Sequence, residues 1–157
     1  MSTTDAASPE ARLAELGISL PDVAAPVASY VPAVRSGQYV YTAGQLPFVD
    51  GALPLTGKVG AGVSPEQAAD LARTCALNGL AAVRSLVGTL DGARIVKVTG
   101  FVASDPSFTG QPGVVNGASD LLGEVFGEPG AHARSAVGVA VLPLDVPVEV
   151  ELVVEVA

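Results

Sequence analysis

The residue best suited to chemistry in this 157-residue chain is Arg134. It is the only Lys or Arg after Lys97, and it sits in the alternating run 133–142, where Arg134, Ala136, Gly138 and Ala140 share one face of a predicted strand. Small neighbours leave room above the strand for a ligand and bring backbone N–H groups within reach. A guanidinium placed there grips a carboxylate with two parallel hydrogen bonds. The plainer alternative is a surface cation paired with Glu151 or Glu155. Glu149, in the alternating run 147–156, is expected on the Arg134 side of the sheet, where partial desolvation would let it orient or deprotonate a water. If the last two strands pair as a hairpin, Glu149 lies opposite Ala140, roughly 20 Å along the strand from Arg134. One small substrate could then touch both only at a site assembled between subunits.

Other residues point less sharply. Tyr30 reads equally as a core aromatic, Gly44 as a turn and Asn116 as a helix-surface residue. His132, the only histidine, stands at the start of the Arg134 strand and has an ordinary structural reading. Cys75, the only cysteine, falls on a helical apolar stripe and reads as an inert core thiol. One Cys and one His exclude an intrachain disulfide and any metal site built from several such ligands. Neither GxGxxG, GxxxxGK[ST] nor GxSxG occurs. Net charge is −8 and the eight Lys and Arg are scattered, so general binding to nucleic acid or to an anionic membrane is disfavoured. A small anion held by one well-placed Arg remains compatible with that charge. No secretory signal and no spanning stretch is visible, and the expectation is a soluble cytoplasmic protein.

The elements that must hold these residues follow from punctuation and period. Apolar residues make up 49% of the chain, with 25 Ala and 25 Val against two Ile and no Trp, so its layers must pack closely. Residues 1–26 are expected to form a flexible N-terminus, frayed over 1–7, with a short helix opened by Ser8-Pro9 and closed by Gly17, then an extended arm. Residues 27–157 read as a single domain. Strands are predicted at 30–34 and 38–43 around a turn at Ser36-Gly37. Ser64-Pro65-Glu66-Gln67 is a capping box opening a helix that Gly88 stops. A strand at 94–103, a helix at 112–126 and the two C-terminal strands complete an α+β layout, with two helices on one face of a mixed, mostly antiparallel sheet. The valine faces of the last two strands are expected under the helices. The opposite face reads as a partly buried contact between subunits.

The run Ala133-Arg134-Ser135, then Val137-Gly138-Val139-Ala140, then Val148-Glu149-Val150 resembles the C-terminal signature of the RidA/YjgF family, also known as the endoribonuclease L-PSP family. The segment Tyr41-Thr42-Ala43-Gly44-Gln45-Leu46-Pro47 is similar to its N-terminal strand and turn. Asn78 and Val115-Asn116 match positions in its two helices, and the likeness covers about residues 27 to 156. The resemblance implies a chorismate-mutase-like fold and a homotrimer with clefts between subunits. It also implies hydrolysis of enamine/imine intermediates, such as 2-iminopropanoate, to 2-oxo acids and ammonia, without a cofactor. By position it assigns carboxylate binding to Arg134 and water positioning to Glu149. Tyr30, Gly44 and Asn116 line the cleft, and Ala136, at a position that is often Cys, offers only its backbone N–H. The extended residues 8–26 and a 123–134 loop one residue longer than usual mark a divergent, long-form branch. Two other readings stand beside this one: a non-catalytic trimer that binds 2-oxo acids, and, less favoured by the charge, a ribonuclease.

Overall fold

The computed structural model describes residues 7–157, so the fraying expected of the first residues lies outside what is described except at Ala7. Helix α1, Pro9–Glu15, starts where Ser8 Oγ accepts the Ala11 N–H, and Leu13 is its buried contact. It is tied to the body by Glu10, which accepts from Arg84 Nη1 (3.1 Å) and from the Leu90 N–H (3.0 Å).

Helix α2, Pro65–Val87, has both halves of the expected capping box: Gln67 N–H to Ser64 Oγ and Ser64 N–H to Gln67 Oε1. Gly88, in the left-handed region at φ 89°, ends it. Ser64→Ala should cost about 1 kcal/mol, read as a lower midpoint in urea unfolding.

Helix α3, Gln111–Phe126, crosses α2 with almost no spacing. A Cβ built on Gly117 would lie 1.9 Å from the carbonyl oxygen of Ala69. Backbone cannot yield as a flexible side chain does, so Gly117→Ala should destabilise by about 3 kcal/mol. Calorimetry would show that as a melting point lower by roughly 10 °C.

Five strands form one mixed sheet in the order β1 (Ala33–Ser36), β2 (Tyr39–Thr42), β5 (Val148–Glu155), β3 (Arg94–Ala103), β4 (Ala133–Val139). Helix α3 is the crossover between the parallel pair β3 and β4, and every other pairing is antiparallel. Helices α2 and α3 cover one face, as the α+β reading requires. The first strand begins at Ala33 rather than at 30, leaving Tyr30 in the segment before it, because Pro32 has no N–H to give to a ladder. The fourth strand stops at Val139 rather than at 142 because its one partner, β3, ends at Ala103, the residue paired with Val139.

Two expectations about the C-terminal strands are corrected. The last two strands are not a hairpin, since β3 lies between them. Nor do Arg134 and Glu149 share a side of the sheet. Arg134 pairs with Val98, which pairs with Leu152, and that row lies under the helices; Glu149 pairs with Phe101 on the uncovered face. On β5 the valines do face the helices, but on β4 Val137 and Val139 face away from them.

The reason is size. A Cβ on Gly100 would lie 2.4 Å from Val115 Cγ2, and one on Gly138 would lie 2.7 Å from Gln111 Nε2. The crossover helix lies so close to β3 and β4 that the small-residue face of β4 must go beneath it. The valine face is left outside, against the usual preference of apolar side chains for the interior.

Candidate functional site

Arg134 emerges from β4, an edge strand, and bends against the flank of α3. Nη1 donates to Asn116 Oδ1 (2.8 Å) and to Ser119 Oγ (3.2 Å), and Nη2 donates to the Pro112 carbonyl (3.3 Å). All three acceptors are uncharged, and none of the ion pairs among the described residues involves Arg134. Three of the five guanidinium N–H groups are thus occupied, leaving Nε–H and one Nη2–H for a ligand. The positive charge is held in place yet not neutralised. Ala136, the next residue on the same face of β4, adds no bulk beside it.

Glu149 sits across the sheet in a different setting. Between the pairs Tyr41–Val153 and Gln45–Val150 the chain leaving β2 takes four steps against three on β5, so one extra residue bulges out near Gly44. Asn78 Nδ2, buried in α2, fixes the following segment by donating to the carbonyls of Leu46 (2.9 Å) and Phe48 (3.1 Å). The bulge brings the Gly44 backbone against the Glu149 carboxylate, so close that a Cβ on Gly44 would lie 1.9 Å from Oε1. Glu149 is half-buried, and this burial, with the nearby Glu151 carboxylate adding to it, pushes its carboxyl above the usual range. Folding thus disfavours ionisation of Glu149 relative to the unfolded chain. The associated stability is full below the unfolded-state pKa and is lost as pH rises through the folded-state value. Cys75 lies just behind, 3.7 Å from the Val148 carbonyl; burial first, then Glu149, raises its thiol well above the ordinary value, so it is inert as a nucleophile.

Tyr30 and Gly44 line one small cavity together with Val27, Leu46 and Phe48. It adjoins a larger one of about 460 Å³ between arm residues 21–25 and Phe48, Asp50 and Asn78. The fold therefore gathers the sequence-derived residues into two sets. Tyr30, Gly44 and Glu149 form one; Asn116, Arg134 and Ala136 form the other, on the opposite side of the sheet. Ser119 and His132 are additions to the second set. Ser119 was legible as the polar residue three positions after Asn116 on the same helical face. The contact between Gly44 and Glu149, a backbone approach across strands, had no sequence signal. Among the described residues no group of three or more His, Cys, Asp or Glu is placed to hold a metal ion. Among the described residues no helix is long and apolar enough to cross a membrane.

A crossover helix on a mixed sheet, with an unneutralised guanidinium at one edge and a half-buried carboxylate against a glycine bulge, defines an α+β protein of two layers. The family described as "YjgF/chorismate mutase-like, putative endoribonuclease" matches residues 10–156. The chain belongs to this YjgF/RidA family. It is 48% identical over 147 residues to "Protein TCP17" of Trypanosoma cruzi, covering 92% of each chain. A crystal structure of a protein from Agrobacterium tumefaciens, Atu1372, of unknown function, superposes with a TM-score of 0.87 at 46% identity over 95% of this chain and 92% of that one. A "putative endoribonuclease" from Shewanella oneidensis gives 0.92 at 34% identity, over 96% and 100%.

Proposed function

We propose that this protein hydrolyses reactive enamine/imine intermediates of the 2-iminopropanoate kind to the 2-oxo acid and ammonia. It does so as a homotrimer whose sites lie between subunits. Arg134, Asn116 and the Ala136 N–H come from one copy, and Tyr30, Gly44 and Glu149 from the next. The observation that carries this reading is the Arg134 guanidinium, held by three neutral acceptors and left without a counter-charge. Two further features support it. The two residue sets lie on opposite sides of one sheet, so a small substrate can touch both only when another copy supplies one of them. The uncovered face also exposes Val34 (53%), Tyr41 (49%) and Val137 (43%), an apolar surface suited to burial by a second copy.

The chemistry follows from the two groups. Arg134 holds the substrate carboxylate. A protonated imine carbon is already electrophilic, so a water placed beside it needs only to lose a proton as it adds. Glu149 takes that proton, giving a carbinolamine and a neutral carboxyl group. The carboxyl returns the proton to nitrogen, and as the C–N bond breaks the regenerated Glu149 carboxylate takes the remaining hydroxyl proton, so that the 2-oxo acid forms and the departing ammonia carries that proton away as ammonium. Proximity and orientation account for several kcal/mol of such a step, and no cofactor enters it. A base with a raised pKa is well matched to taking and returning a proton near neutrality.

One test is the pH profile. Activity requires ionised Glu149, so its acid limb should lie above the ordinary carboxylate range. Glu151→Gln removes one cause of the shift and should move that limb to lower pH. An unchanged limb in that variant would remove Glu149 as the titrating base. The alternative of a non-catalytic 2-oxo-acid-binding trimer draws on Ala136, which supplies no thiol. Calorimetry with pyruvate beside a coupled imine assay separates the two, because binding without turnover would favour it. A ribonuclease reading is opposed by the −8 charge.

A further inference from the structure

We infer that Ser119 and His132 are positioning residues for Arg134, joined in a directed hydrogen-bond chain that fixes its guanidinium for a carboxylate. The inference rests on the reading of Arg134 as the carboxylate-binding group. His132 Nδ1 lies 2.6 Å from the Gly130 carbonyl oxygen, and His132 Nε2 lies 2.9 Å from Ser119 Oγ. A carbonyl only accepts, so Nδ1 carries the proton and, in the neutral ring, Nε2 is an acceptor. Ser119 therefore points its hydroxyl proton at Nε2. That orientation turns a lone pair of Oγ toward Arg134 Nη1, 3.2 Å away. Each member sets the direction of the next, from a backbone carbonyl to the guanidinium.

The chain matters because Arg134 stands on an edge strand with a long, rotatable side chain. Asn116 and the Pro112 carbonyl alone leave it fewer anchors on α3. If Nε2 is removed, the Ser119 proton is released to a carbonyl one turn back in its own helix, a common alternative for helical serines. Oγ then no longer presents the same lone pair to Nη1. Ser119 meets the guanidinium at Nη1 while the free N–H groups are on Nε and Nη2, and His132 reaches it only through Ser119, so both act on substrate binding through Arg134.

The test is calorimetric titration of the full chain with pyruvate, beside steady-state imine hydrolysis. Ser119→Ala and His132→Phe should each raise the pyruvate Kd about tenfold, the scale of one lost hydrogen bond to a charged group. KM should rise in step while kcat stays within about twofold, the pattern of a lost binding interaction. Ser119→Thr keeps the hydroxyl and should bind within about twofold of the unaltered protein, which a purely structural role for the position would not require. Unaltered binding in both Ser119→Ala and His132→Phe, with Arg134→Ala impaired, would overturn the positioning role alone. If the unaltered chain does not bind pyruvate, or Arg134→Ala binds it equally well, the reading of Arg134 fails and this inference with it.

Discussion

Replacing Arg134 with Ala should lower kcat/KM for imine hydrolysis by about a thousandfold, roughly 4 kcal/mol of lost transition-state stabilisation. Two charge-assisted hydrogen bonds to the substrate carboxylate disappear together, and no other Lys or Arg follows Lys97 in the chain to take over. Stability should change little. The side chain is only partly buried, and its partners Asn116, Ser119 and Pro112 stay within reach of solvent. Arg134→Lys should recover only part of the loss, because an ammonium keeps the charge without the planar fork. Steady-state kinetics with thermal unfolding as control checks both variants. Near-normal turnover in Arg134→Ala would remove the carboxylate anchor from the mechanism.

Gly44→Ala should be the second most damaging change, although it adds one methyl group. Gly44 does not have positive φ, so alanine can adopt its backbone conformation. The new Cβ would lie 1.9 Å from Glu149 Oε1 and 2.8 Å from Cδ. The far end of a glutamate can swing aside, so the fold should survive at a cost of about 1 to 2 kcal/mol. The carboxylate, however, must leave the place from which it reaches the water. A displacement of that size should lower kcat about a hundredfold, with much less change in KM. Coupling separates this cause from general damage. In a Glu149→Ala background the added methyl should cost almost nothing in stability, because the atoms it strikes are gone. An equal stability loss in both backgrounds would place the strain elsewhere.

Much of the fold was written in local signals. The box at Ser64–Gln67, the stop at Gly88 and the valine–glutamate alternation of β5 each carry their own physical cause, and each element lies where that cause puts it. The face of β4 was different. Its two alternating sets, Ser-Val-Val and Arg-Ala-Gly, differ more in size than in polarity. What decides between them is the closeness of α3 to Gly100 and Gly138, a tertiary fact. The same limit applies to pairing. Nothing between residues 139 and 148 tells that β5 will settle against β3 rather than β4, because the loop between them suits either partner. Arg134, Glu149 and Gly44 were legible as individual residues. Their division into two sets on opposite faces was not, since it depends on strand order and register.

That division makes the central claim open to direct test by mixing two inactive variants. Arg134→Ala and Glu149→Gln protein, each with negligible turnover alone, would be unfolded together and refolded as one population, and imine hydrolysis then measured. With one side chain from each of two neighbouring copies, random assembly should restore about one quarter of the unaltered activity, since that share of interfaces pairs an intact Arg134 with an intact Glu149. If the refolded mixture stays as inactive as its parents while unaltered protein refolds with full turnover, the two residues do not act together across a subunit boundary, and the proposed site is wrong.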